Sequence, residues 1–318
     1  MQQRLGVVGV DVAQAKLVIC GLGEAATPQV LLNRAEAIQA WLQRLPAGCV
    51  VAMEATGRHH QLLAQLAHAA GMRVLVLNAR DVFFYAKALS GRGKTDRLDA
   101  ALIARFAAEH ADRLHAWRPA TGVQQQVQDL LRRRAQVTRL RVALRQTLDD
   151  VTQLREAGQR LCDHFEELLQ EIDRQLLAAV DSDPQLQRGV ALLRTITGFG
   201  PQGSILVAAL LSRIRFDNAD ALVAYSGLDP RPHDSGAKHG KRRLSKRGPA
   251  QLRRQLYLAA FGASHSHALG SLYRALKAKG FAPTQALVIL ARKLLRVAWA
   301  VWHSGQPFDA TRLTPAHA

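Results

Sequence analysis

Carboxylates are scarce in this chain, whose 318 residues hold 25 Asp and Glu against 43 Lys and Arg, a formal net charge of +18. So large an imbalance, with a pI near 10.9, excludes a surface made for cationic partners and points to a polyanion. Aromatic residues amount to only 5%, so stacking on many unpaired bases is a lesser source of affinity than Arg and Lys contacts to phosphate. Cysteine is nearly absent. Cys20, Cys49 and Cys162 are scattered, with no CxxC pair and no cysteine–histidine spacing, which excludes a zinc site and a disulfide framework and fits a reducing compartment. No apolar run reaches the ~18 residues of a membrane span, and MQQRLGVVGVD lacks the apolar core of a signal peptide. A soluble intracellular protein with no membrane partner is expected.

What is present is ample material for a core, 48% hydrophobic residues, so the charge belongs to a folded protein rather than a disordered basic tail. The charge is unevenly spread. Residues 1–125 carry 14 Lys and Arg against 9 acids, residues 126–185 carry 9 against 11, and residues 186–318 carry 20 against 5. Three regions follow, and the last holds most of the cationic excess.

In the first region Leu5–Val10, Lys16–Gly21 and Gln29–Asn33 read as short strands separated by turn residues. Helix Arg34–Leu45, strand Cys49–Met53, helix Arg58–Ala70, strand Arg73–Leu77 and helical stretches at Phe83–Ala88 and Asp96–Ala108 come next. A strand meander followed by alternating helices and strands is the order of an RNase H-like fold. Four acids stand at telling places in it. Asp11 ends the apolar run LGVVGVD, Glu54 ends VVAME, and Asp96 and Asp99 open the helical stretch KTDRLDAALIARF. At i and i+3 the last two share a helix face, and carboxylates gathered in so basic a chain suit a hard divalent cation acting on phosphate. The plainer alternative is that Asp96 caps its helix, Asp99 favours the positive end of the helix dipole and Glu54 is a loop cap. It suits Asp99 taken alone better than the four taken together. Lys16 reads as a solvated residue.

GRGKT at Gly91–Thr95 tempts a phosphate-loop assignment, but position 88 is Ala where GxxxxGK[ST] needs Gly, and FFYAKALS before it is helix-like. The stretch reads instead as a basic loop whose Arg92 and Lys94, with Arg97, touch backbone phosphates. From Val123 to Ala179 the pattern is helical. Leu130, Val137, Leu144 and Val151 recur every seven residues, with Leu140, Leu148 and Leu154 on the alternate seam and Leu161, Phe165, Leu168, Ile172 and Leu176 continuing after Gly158. Either one long helix or a two-helix hairpin results, and coiled-coil contacts between subunits stand beside ordinary core packing as readings.

In LLRTITGFGPQGSILVAALL the glycines Gly198 and Gly200 separate one apolar helix from the next. This resembles a helix-hairpin-helix element that turns backbone N–H groups toward phosphate, with Arg194 beside it; a simple interhelical turn is the alternative. The stretch from Ala224 to Tyr257 then packs Arg231, Lys238, Lys241, Arg242, Arg243, Lys246 and Arg247 around Ser235 and Ser245. A charge run is usually a solvated face, yet a serine among cations suits attack on a phosphodiester, since the cations stabilise developing charge.

The set GVDVAQAKL, AMEATG, KTDRLDA, ITGFGP, AYSGLDPRPHDSG, LSKRGPAQLRRQLY and SGQPFD resembles the DEDD-type insertion-sequence transposases related to the Piv invertase, recombinases directed by a bridge RNA. The resemblance spans nearly the whole chain. It implies a RuvC-like α/β domain over 1–122, a coiled-coil linker over 123–185 and a mainly helical transposase domain over 186–318. By motif it makes Asp11, Glu54, Asp96 and Asp99 the ligands of two Mg2+ or Mn2+ ions and Ser235 the nucleophile that forms a phosphoserine ester with DNA. Donor and target DNA, a bridge RNA and a dimer that pairs into a tetramer are the implied partners, in the bacterial cytoplasm at the nucleoid. Ser245 is left as a helix cap or phosphate contact. A Holliday-junction-type nuclease using water with the same acids, and a non-catalytic nucleic-acid-binding protein, are the other functions the residues allow.

Overall fold

The computed structural model describes residues 6–22, 27–55, 57–89, 96–231, 240 and 242–312, with only the backbone described for Asp96 and Arg97. The chain divides into two compact units, residues 1–119 and 120–318.

The first unit is built on a five-stranded sheet of β1 (Val7–Val12), β2 (Lys16–Gly21), β3 (Gln29–Leu32), β4 (Val50–Glu54) and β5 (Arg73–Leu77). The order is β3-β2-β1-β4-β5. The first three strands form an antiparallel meander, and β1, β4 and β5 run parallel. Strand alternation sorts the side chains. Val10, Val12, Val51 and Met53 pack with Ile38, Trp41 and Leu42 of α1 (Ala35–Leu42) and Leu63, Ala64 and Ala67 of α2 (Gln61–Ala69). On the opposite face Val50, Ala52, Leu75 and Leu77 meet Val82 of α3 (Ala79–Ala88) and Ile103 and Ala107 of α4 (Asp96–Glu109). Buried on both faces, β4 reads VVAM without a polar break, as a central parallel strand should.

Gly9 decides how close α4 comes. A Cβ there would lie 2.1 Å from the carbonyl oxygen of Ala100 and 2.4 Å from the nitrogen of Ala104, so the helix backbone rests directly on β1. β1 runs from Val7 to Val12 rather than from Leu5 to Val10. Asp11 therefore sits inside the strand, hydrogen-bonded in register opposite Val18 of β2.

The second unit opens with α5 (Gly122–Leu148), a 3-10 turn at Thr152–Leu154 and α6 (Arg155–Asp181). Thr121 and Gln124 form a reciprocal capping box at the start of α5. Of the two geometries the heptads allowed, the hairpin is the one formed, and the break falls at Asp149–Val151 rather than at Gly158. Gly158 lies inside α6, where a Cβ would stand 2.8 Å from Leu148 Cδ1; it is a packing glycine, and Val151 leaves the heptad for the turn. The seam also shifts. Leu169, Ile172 and Leu176 are buried, whereas Leu140, Leu154, Leu161 and Leu168 are exposed, because the antiparallel partner sets which stripe faces inward. Arg134 grips Asp173 across the hairpin through Nε at 2.6 Å and Nη2 at 2.9 Å, and Arg141 pairs with Glu166.

The remainder is helical around α12 (Pro283–Ser304), whose Leu287, Leu290, Ala291, Leu294, Leu295 and Ala298 form a buried stripe. Against it pack α7 (Pro184–Arg194), α8 (Pro201–Arg213), α9 (Ala219–Ser226), α10 (Ala250–Ser264) and α11 (Gly270–Ala278). Two short strands, β6 (Pro230–Arg231) and β7 (Arg243–Leu244), pair antiparallel between α9 and α10. The hairpin joins this core through Val127, Leu131, Ile172 and Leu176. Among the described residues no helix is long and apolar enough to cross a membrane.

Candidate active site and nucleic-acid interface

Register brings the first two acids together. Val10 of β1 pairs with Met53 of β4, and one step on come Asp11, one residue before the end of β1, and Glu54, the last residue of parallel β4. By alternation both belong to the face of Gly9 and Ala52, the face that α4 covers. Each backbone is clamped on its far side too, Asp11 by β2 and Glu54 by β5, opposite Leu77.

The helix completes the geometry. Phe106 and Ala107 of α4 share a cluster with Val7 and Val50 at the strand starts, while Ala100 and Ala104 lie on Gly9. The helix thus runs back toward the strand ends as it approaches its own N-terminus. Two strand residues from Gly9 to Asp11 span about 7 Å, and four helical residues from Ala100 back to Asp96 span about 6 Å. The start of α4, with half-buried Asp99, is accordingly level with Asp11. Among the described residues no three Asp, Glu, His or Cys side chains come close enough to hold a metal ion, and Asp96 contributes only its backbone to that description. The donor set itself suits a hard cation: Mg2+ takes oxygen ligands, keeps several waters and needs only one or two carboxylates.

Asn33 is the residue the sequence did not reveal. From the end of β3 its Nδ2 donates to the carbonyl of Ala13, at 3.0 Å, and to that of His59, at 3.2 Å. Its backbone N–H reaches Ala15 O at 3.0 Å. One amide thereby ties the turn after Asp11 to the turn that follows Glu54. An asparagine closing a strand looks like any turn residue in sequence, and only the fold places two carbonyls within its reach.

In the second unit Arg242 and Arg243 are exposed on and beside β7, and Lys246 and Arg247 are exposed after it. Ser245 between them is buried, at 5% exposure, and its hydroxyl donates to the Asp229 carboxylate. The backbone follows suit, with Ser245 N–H to Asp229 O and Lys246 N–H to Gly227 O, both 3.0 Å. A Cβ on Gly248 would lie 1.9 Å from Tyr225 O, and Arg253 reaches the carbonyls of Ser226 and Gly248. Ser245 is therefore a strut of the fold. It does not cap α10, whose N-cap is Pro249.

Arg194 is exposed at the end of α7, and exposed Gly200 is the N-cap of α8. Gly198 between them has φ +94°, and a Cβ there would come within 2.2 Å of Ala259 O. That glycine is demanded by left-handed backbone and by close packing on α10. Ser235, Arg92, Lys94, Lys238 and Lys241 lie outside the described residues.

Two family models match the chain. Residues 8–155 match the DEDD-type transposase domain of IS110 elements, and residues 190–275 match the transposase IS116/IS110/IS902 family. The pilin gene-inverting proteins of Moraxella bovis and Moraxella lacunata are 29% and 28% identical over 262 residues, 81% of this chain and 81% of each relative. A probable family 20 transposase of Pseudomonas aeruginosa is 27% identical, covering 92% of this chain and 96% of its own length.

Proposed function

We propose that this chain, which belongs to the IS110 family of insertion-sequence transposases and is related to the pilin gene-inverting proteins, exchanges DNA strands through a metal-assisted phosphoserine intermediate. The observation that carries the reading is the placement of Asp11 and Glu54 at the ends of parallel β1 and β4, beneath the start of α4 with Asp96 and Asp99. The strand order β3-β2-β1-β4-β5 supports an RNase H/RuvC-like assignment of the first unit. The four carboxylates would hold two Mg2+ or Mn2+ ions, which when bound supply Lewis-acid polarisation of the scissile phosphate.

Ser235 is the nucleophile in this reading. Its Oγ forms a bond to phosphorus as the bond to one deoxyribose oxygen breaks; the serine proton is lost to a base and the released sugar hydroxyl takes one up. The ester stores the bond energy, so rejoining to a second strand needs no ATP. Burial of Ser245 against Asp229 supports Ser235 as the serine that reaches DNA. A bridge RNA selects donor and target, and Arg194, Gly198, Gly200, Arg242, Arg243, Lys246 and Arg247, with Arg92, Lys94, Lys238 and Lys241, contact the backbones. Subunits pair through the exposed stripe of Leu140, Leu154, Leu161 and Leu168 on the hairpin.

Nicked or suicide DNA substrates with Mg2+, run on denaturing gels, test the mechanism. The parent protein is expected to give a protein–DNA adduct that Ser235→Ala and Asp96→Asn both lack, while Ser245→Ala keeps it with lower thermal stability. Metal-dependent cleavage without any adduct would instead establish the hydrolytic nuclease. Sequencing of copurifying nucleic acid tests the guide, and a discrete structured RNA is the expected result.

A further inference from the structure

Two of the grooves along the α5–α6 hairpin differ in charge. The outer one, about 500 Å³ between the far ends of the helices, is lined by Arg141, Arg145 and Arg155 but equally by Asp149, Asp163 and Glu166. The inner one, about 290 Å³ between α5, α8 and α10, is lined by Arg132, Arg134, Arg139 and Arg254 with three glutamines, and among the described residues no carboxylate lines it. Residues 126–185 as a whole carry more acids than bases. The segment's arginines line both grooves, but only in the inner one do three of them stand without lining carboxylates, joined there by Arg254 from a different helix.

The walls of the inner groove are held before any ligand arrives. Asp173 grips Arg134 in the bidentate pair and also accepts from Gln202 Nε2 at 3.4 Å. Gln251 Nε2 donates to Leu131 O at 3.0 Å, tying α10 to α5. Arg132 is paired with Asp129. Arg139 and Arg254 have no acidic partner among the described residues and are exposed. Two guanidinium groups without acidic partners, lining one groove with three carboxamides, are donors of the kind that phosphodiester and sugar oxygens accept from.

We infer that this groove is a binding site for the phosphodiester backbone of a nucleic acid, separate from the cationic segment around β7. The inference rests on the nucleic-acid substrate of the proposed function. Its test is the salt dependence of binding for a duplex DNA and a single-stranded RNA, each of about 30 residues per strand. Each is compared for the parent, for Arg139→Gln with Arg254→Gln, and for Arg145→Gln with Arg155→Gln in the outer groove. Loss of two phosphate contacts should reduce the slope of log K against log salt by about 1.8 for duplex DNA or about 1.4 for a single strand. The polymer that shows the change identifies the occupant. The outer-groove variant should match the parent. Unchanged slopes for both polymers in the inner-groove variant would overturn the site, as would an equal change in the outer-groove variant. A parent protein that binds neither polymer would instead overturn the proposed function itself.

Discussion

The two units of this molecule handle charge in opposite ways. The first places Asp11 and Glu54 near one end of a sheet, where strand register sets their places and α4 rests on Gly9 beside them. The second spreads many cations over helices and short strands, and around β7 it fixes the backbone beneath them through Ser245 and Gly248. Chemistry at a phosphate needs a few groups held to fractions of an ångström. Affinity for a polyanion needs many groups held loosely, because counterion release depends on their number more than on their geometry.

The largest effect should come from breaking the precise side of that contrast. Asp11→Asn is expected to lower metal-dependent cleavage by at least about 10³-fold, since a lost ligand forfeits several kcal/mol of transition-state stabilisation. Affinity for DNA at fixed salt should change little. A variant that loses binding in parallel with cleavage would show that the two units do not divide the work.

Asn33→Ala sharpens the same side without touching a carboxylate. Removing both hydrogen bonds to Ala13 O and His59 O should cost about 1–3 kcal/mol of stability. If the amide holds the two acid-bearing strand ends in place, Mn2+ binding followed by electron paramagnetic resonance should weaken several-fold. Unaltered Mn2+ binding with a lowered Tm would reduce Asn33 to a fold residue.

On the cationic side, Arg242→Gln with Arg243→Gln should flatten the salt slope for duplex DNA by about 1.8 and leave cleavage at saturating protein near the parental rate. Equal slopes would place these side chains against solvent or another subunit. A subtler change tests the hairpin: Leu161→Asp with Leu168→Asp replaces exposed leucines, so helicity should persist while light scattering reports a smaller particle. The parental mass in that variant would count against subunit pairing through this stripe.

The smallest effect concerns α12. Lys293 Nζ is shut off from solvent with no hydrogen-bond partner among the described residues, and burial, aided by Lys279, lowers its pKa from the ordinary value. The protonated lysine is therefore a liability to the fold at pH below its folded pKa, and the liability fades as pH rises from there to the unfolded value. Lys293→Met should raise Tm by a few degrees at neutral pH, with the gain shrinking toward pH 10. A lowered Tm at neutral pH would show that the lysine is compensated.

Much of the first unit was legible in the sequence because its strands are short apolar runs bounded by turn residues. Lys16–Gly21 and Arg73–Leu77 fold over the spans their patterning indicates. The hairpin was less legible. Seven-residue spacing is common to any pair of packed helices, and nothing local tells which leucines a partner will cover, so Leu161 and Leu168 emerge exposed and Leu169 buried.

By itself the sequence determined the period of each element and the scarcity of acids, since these depend on local pattern and composition. Tertiary structure alone decided which groups meet. Asn33 reaches two carbonyls from a different strand, Asp229 buries Ser245 across 16 residues, and Arg254 joins the arginines of α5 in a groove whose parent segment is net acidic. The physical reason is common to all three: hydrogen bonds and charges act over a few ångströms in space, and the distance along the chain between their partners is set by packing.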